Sequence, residues 1–124
     1  MKKLAYVIQE HHATHLHYDL RLEMDGVLKS WAIPKKPIGR GKRLAIQVND
    51  HDLSYKDFEG VIESGYGAGT VKIWDKGWYE LIEKTKDKIL IELHGKKLKG
   101  KYALVRFKKS GKKNYLFFKV SEKR

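Results

Sequence analysis

The sequence predicts a mainly β protein: a single compact antiparallel β-barrel with short connecting helical turns. Short strand-like runs recur between turn signals along the chain. No stretch keeps a long helical apolar period. Asp25-Gly26 separates two of the runs, and a tight primed hairpin turn needs the positive φ such a pair tolerates. The predicted strands begin with Leu4–Gln9 and Leu16–Glu23, the second alternating apolar and polar without a break. Val27–Ile33 follows the hairpin turn, and Pro34 and Pro37 close it into a basic loop, Lys35 to Arg43. Leu44–Val48 comes next, then a structured loop over Glu59–Gly69 that carries four glycines. Gly69–Trp74 and Trp78–Leu81 are read as two strands joined at Lys76-Gly77, and Glu80–Lys88 admits one or two helical turns. Ile89–Leu93, Tyr102–Phe107 and Tyr115–Val120 complete the set, with Ser110-Gly111 as a further turn. Trp31, Trp74 and Trp78 lie in apolar runs and are expected in the core, not as base-stacking platforms.

At 124 residues the chain is expected to form one domain over 1–124, long enough to bury about two-thirds of its unfolded surface. Cysteine is absent, which excludes thiolate zinc sites, cysteine nucleophiles and disulfides. No apolar run reaches membrane-spanning length and no signal peptide is evident, so a soluble, cytoplasmic protein is expected. The charge is uneven. Residues 1–80 hold 12 Lys/Arg against 11 Asp/Glu, a balance of +1, while residues 81–124 hold 15 against 4, a balance of +11. A basic third on a balanced remainder suggests a polyanion-binding surface, with a Lys-rich solvated surface as the plainer alternative.

Five of the six histidines, His11, His12, His15, His17 and His51, lie in the first 51 residues. In the alternating strand, Leu16, Tyr18, Leu20 and Leu22 share one face, leaving His17, Asp19, Arg21 and Glu23 on the other. Two imidazoles with a carboxylate suit divalent Mn, Fe, Co or Zn and leave positions open for water and substrate. His17 and Asp19 supply two ligands. His11, at the end of the first strand, is the best third, since His12 would point the other way and His15 sits near the turn. Arg21 lies one pleat beyond Asp19, roughly 7 Å along the strand, where a guanidinium can grip a phosphate. Lys35 and Arg43 could add charge around the basic loop. His51, at a strand end, could be a satisfied polar residue, a further ligand or a general acid. The loop Gly65-Tyr66-Gly67-Ala68-Gly69 lacks the Lys-Ser/Thr ending of a triphosphate cradle and leads into a strand, so it reads as a structural turn. Chemistry alone leaves three classes open: a phosphoesterase, a non-haem iron oxygenase on a small barrel, and a non-catalytic nucleic-acid-binding module.

Gln9-Glu10-His11-His12-Ala13, followed by His15-Leu16-His17-Tyr18-Asp19-Leu20-Arg21-Leu22-Glu23, resembles the signature of the phosphoesterase domain of bacterial DNA ligase D. The likeness continues through Gly26-Val27-Leu28-Lys29-Ser30-Trp31-Ala32 and Pro34-Lys35. It resumes at Asp50-His51, Tyr55, Asp57-Phe58-Glu59-Gly60, Tyr66-Gly67-Ala68-Gly69-Thr70, and His94-Gly95 with Leu98-Lys99-Gly100. With no ligase or polymerase segment alongside, the chain looks most like the free-standing archaeal or bacterial versions. The resemblance implies one phosphoesterase domain over 1–124, a β-barrel with a Mn²⁺-dependent site (Zn²⁺ or Co²⁺ being alternatives). It implies action on nucleic-acid 3′ ends at primer–templates or broken duplexes, with a separately encoded DNA ligase and polymerase as partners and no membrane. In that family a terminal ribonucleoside is removed to leave a 3′-phosphate, which is hydrolysed to 3′-OH; opening of a 2′,3′-cyclic phosphate is left open. Mapped by motif, His11, His17 and Asp19 would hold the metal and Arg21 and His51 the phosphate, with Gln9, Lys35, Arg43 and Tyr55 supporting. The chain departs from the pattern in three places. Only eight residues precede Gln9, where ligase-linked members carry an extension that assists the ribonuclease step. Asn49 replaces a usually acidic residue, and the loop before Tyr66 is one residue shorter and lacks a proline.

Overall fold

The computed structural model describes residues 2–39, 41–65, 67–107 and 111–121. Tyr66 and Ser110, each part of a motif above, lie outside the described residues. Nine strands are present: β1 (Leu4–His12), β2 (Leu16–Met24), β3 (Val27–Ile33), β4 (Arg43–His51), β5 (Gly60–Ile62), β6 (Gly69–Lys84), β7 (Lys88–His94), β8 (Lys99–Arg106) and β9 (Asn114–Lys119). A 3₁₀ turn, Leu53–Asp57, is the helical connection among the described residues. All pairings are antiparallel, in the order β1-β2-β3-β4-β9-β8-β7-β6, and β6 pairs back onto β1. The result is a closed eight-stranded barrel with β5 added beside the first part of β6. Closure leaves no barrel strand with an unpaired edge.

Asp25 (φ 56°) and Gly26 (φ 82°) form the expected tight turn, which pairs Met24 with Val27 and therefore Arg21 with Ser30 and Asp19 with Ala32. The barrel interior takes Tyr6, Ile8, Tyr18, Leu20, Leu22, Trp31, Ile33, Tyr79, Ile91, Leu93, Leu104 and Phe117, all fully or nearly fully buried. With Leu20 and Leu22 inside, strand alternation sends Asp19 and Arg21 to the outer wall, beside Gln9 and Val7 of β1. Tyr55, Phe58 and Gly67 reach over that part of the wall, to Gln9, Arg21 and His11. Gln9 is thereby fully buried without belonging to the interior core.

Three expectations need correction. Lys76-Gly77 is not a turn, and the two strands proposed on either side are one 16-residue strand. Gly77 is demanded by packing: an added Cβ would lie 2.0 Å from the His94 carbonyl oxygen. Gly77→Ala is expected to cost about 3 kcal/mol, since backbone must shift to make room, measurable by guanidinium unfolding. The helical alternative over Glu80–Lys88 is also replaced, by strand to Lys84 and a turn closed by Thr85 N–H donating to the Lys88 carbonyl at 2.8 Å. Of the tryptophans only Trp31 is in the core. Trp74 is the extra residue of a bulge, because Ile8 faces Asp75 while Gln9 faces Ile73. It packs at the core margin, and Trp78 stacks on His94 outside the barrel at 3.9 Å.

Candidate active site

The β1–β2 pairing sets His11 opposite His17 and Gln9 opposite Asp19. Each histidine has one ring nitrogen occupied. His11 Nε2 lies 2.8 Å from the Gly67 carbonyl and His17 Nδ1 lies 3.0 Å from the His15 carbonyl. A carbonyl only accepts, so both of these nitrogens carry the proton and donate. The remaining nitrogens, His11 Nδ1 and His17 Nε2, face each other at 3.1 Å. Asp19 Oδ2 lies 3.5 Å from the first and 3.3 Å from the second. Three lone-pair atoms in mutual contact repel unless a proton or a cation sits among them. A divalent ion about 2.1 Å from each ligand would space them about 3.0 Å apart at right angles and about 3.4 Å at tetrahedral angles. The observed spacings fit that ion. Carbonyls holding the far nitrogens are the outer support that metal-binding imidazoles need. Burial opposes ionisation of Asp19, but its hydrogen bond to His17 and the Arg21 charge outweigh it and hold the carboxyl below its usual range. The same hydrogen bond raises the His17 pKa, so acid sets a proton in competition with a cation for that nitrogen.

Arg21 is buried and held on three sides. Nε donates to Gln9 Oε1 at 2.6 Å, Nη1 donates to Ser30 Oγ at 2.8 Å, and Nη2 lies 3.5 Å from Asp19 Oδ2. Gln9 is itself fixed, because its amide donates to the carbonyls of Tyr55 (2.8 Å) and Phe58 (3.2 Å). The Ser30 hydroxyl in turn donates to the Leu28 carbonyl at 3.1 Å. The guanidinium lies under the Tyr55 ring at 4.9 Å, and Tyr55 stacks on Phe58. A fork fixed this firmly, with a cation site on one side, is suited to an oxyanion with several oxygens.

The family model of the DNA ligase D 3′-phosphoesterase domain matches residues 9–106. The chain belongs to this family. It is 48% identical over 122 residues to the multifunctional non-homologous end joining protein LigD of Pseudomonas aeruginosa, covering 92% of this chain and 14% of that protein. Against the LigD of Mycobacterium tuberculosis the identity is 52% over 110 residues, covering 82% of this chain and 14% of that protein. Against that of Mycolicibacterium smegmatis it is 43% over 133 residues, covering 96% and 17%. The chain thus spans about one-seventh of the length of the first two relatives. Among its described residues, no helix is long and apolar enough to cross a membrane.

Among the described residues, His11, His17, Asp19, Arg21, Gln9, His51 and Tyr55 come together, whereas Lys35 and Arg43 do not join them. Lys35 is exposed on its loop. Arg43 donates to the carbonyls of Lys36 (3.1 Å) and Ile38 (2.9 Å), so its fork holds the basic loop in shape. His12 points away, to Glu10 at 2.7 Å. The sequence reading missed Ser30 and the Gly67 carbonyl. Ser30 was within reach, since a two-residue turn at Asp25-Gly26 pairs it with Arg21.

His51 Nδ1 is 3.1 Å from Arg21 Nη1, which can only donate, and 3.1 Å from the Asn49 carbonyl, which favours a protonated ring. Burial first and the Arg21 charge second outweigh that carbonyl and lower the His51 pKa, giving a neutral ring that accepts at Nδ1 and offers Nε2–H. A depressed folded pKa means the unfolded chain takes up the proton more readily. The associated stability is present above the unfolded value of about 6.5 and is lost as pH falls. Between pH 7 and 5, the metal-free protein is therefore expected to lose more stability than its His51→Gln variant, as read from denaturant midpoints in EDTA.

Proposed function

We propose that this domain, residues 1–124, is a metal-dependent phosphoesterase that heals nucleic-acid 3′ ends in end joining, hydrolysing a 3′-phosphate to 3′-OH. The observation that carries the reading is the meeting of three lone-pair ligand atoms, from His11, His17 and Asp19, beside the braced fork of Arg21. A divalent cation bound there, Mn²⁺ by family and Zn²⁺ or Co²⁺ by ligand type, would polarise a non-bridging phosphate oxygen and acidify water. Arg21 binds the equatorial oxygens and stabilises the charge that develops on them. His51 Nε2–H donates to a phosphate oxygen or to the departing one. Gln9 and Tyr55 keep the fork aimed. Removal of a 3′-terminal ribonucleoside and opening of a 2′,3′-cyclic phosphate are further activities proposed for the same site. A separately encoded ligase and polymerase would use the resulting 3′-OH.

The test is a 5′-labelled primer–template ending in a 3′-phosphate, a 3′-ribonucleotide or a 2′,3′-cyclic phosphate, each incubated with Mn²⁺, Zn²⁺ or EDTA. Conversion of 3′-phosphate to 3′-OH is expected with Mn²⁺, anaerobically as well as in air, and none with EDTA. Retention of the phosphate under every metal would overturn the reading.

A further inference from the structure

A cavity of about 800 Å³ among the described residues is an open groove away from the ligand triad. It lies where the basic loop after β3, the β7–β8 turn and the end of β9 meet, at the barrel end that also carries the β1–β2 turn. Lys97, Lys101 and Lys119 line it against a single carboxylate, Glu92. Its walls carry three glycines with positive φ: Gly39 (81°), Gly41 (104°) and Gly100 (108°). Gly100 has a specific task. A Cβ there would sit 3.4 Å from Lys119 Cε, so its absence lets the lysine stem cross the groove wall. Lys97 is anchored, donating from Nζ to the Trp74 carbonyl at 2.6 Å with the ring 4.8 Å below. The two segments that frame the groove, 35–42 and 95–101, contain eight Lys/Arg and no Asp or Glu. A cationic groove with bare backbone walls and an apolar floor at Leu98 and Tyr102 matches a sugar–phosphate strand: charge for the phosphates, apolar contact for the sugars.

We infer that this groove binds the nucleic-acid backbone upstream of the 3′ end being processed. The inference rests on the phosphoesterase reading for the position of that end. Strands β2 and β9 are separated by β3 and β4, three spacings of about 4.8 Å or roughly 14 Å around the wall. One strand of a duplex presents a phosphate per 3.4 Å of axis, so the groove lies within reach of the phosphates next to the end. The groove would then set affinity and register, leaving bond cleavage to Arg21 and the triad.

The experiment compares wild type with Lys101→Glu/Lys119→Glu and the milder Lys101→Gln/Lys119→Gln. Binding of a fluorescent 3′-phosphate primer–template is measured by anisotropy across a salt series. Turnover is measured on that duplex and on a 3′-phosphorylated dinucleotide too short to reach the groove. The charge reversal is expected to weaken duplex binding at least tenfold and to flatten the log–log salt slope by about 2. The loss of turnover on the duplex should exceed that on the dinucleotide by a similar factor, with the glutamine pair intermediate. Duplex affinity within twofold of wild type and an unchanged salt slope would overturn the inference. Absence of turnover by wild type on both substrates would instead count against the phosphoesterase reading, and the anisotropy series would still decide the groove.

Discussion

Replacing His17 with Ala is expected to cut release of 3′-phosphate at least about 1000-fold, because the proposed cation would lose one of its three ligands. The melting temperature of the metal-free protein should stay within about 3 °C of wild type. The side chain is 25% exposed and lies on the outer wall, so its loss opens no hole in the barrel core. Its Nε2 lies 3.1 Å from His11 Nδ1, and truncation removes that close approach. Calorimetric titration with Mn²⁺ should show binding to wild type and none to the variant in the same concentration range. His12→Ala is the control, since that ring turns away to Glu10 and should leave turnover within twofold of wild type. Full activity in His17→Ala, or equal loss in His12→Ala, would move the reacting centre elsewhere.

The site could be foreseen from sequence because its parts lie on two strands whose alternation is unambiguous. Leu16 to Glu23 leaves no choice of face, and Asp25-Gly26 then fixes what sits opposite. Residues brought in by the covering segment were harder to foresee. Nothing in strand period says that the Gly67 carbonyl reaches back to His11, or that the carbonyls of Tyr55 and Phe58 hold Gln9, because loops follow no period. Arg43 illustrates the opposite failure. A charged side chain near a phosphate site invites a role there, yet loop carbonyls two residues apart claimed its fork. Gly77 misled for a related reason: glycine punctuates turns, but it also permits two backbones to touch, and only the β7 partner distinguishes the two.

Arg21→Lys separates charge from geometry and is expected to lower kcat/KM by about 100- to 1000-fold. Lysine keeps the positive charge but replaces a planar fork with one ammonium. Arg21 in its buried position serves Gln9 Oε1, Ser30 Oγ, His51 Nδ1 and the Asp19 carboxylate in different directions. An ammonium cannot reach all four from one point, and a shorter grip on the phosphate would be single instead of bidentate. The stability cost should also be visible. Gln9 Oε1 is fully buried and has Arg21 as its donor, so leaving it unmet costs about 1–3 kcal/mol. Gln9→Leu tests the second half of the argument by removing the brace while keeping the fork. It should lower kcat about tenfold with the pH profile retained, because Arg21 stays charged but loses the contact that aims it. Kinetics below the onset of unfolding, with denaturant midpoints run beside them, separate the two effects. If Arg21→Lys matched wild type in kcat/KM, positive charge alone would suffice, and the braced fork would have only a structural role.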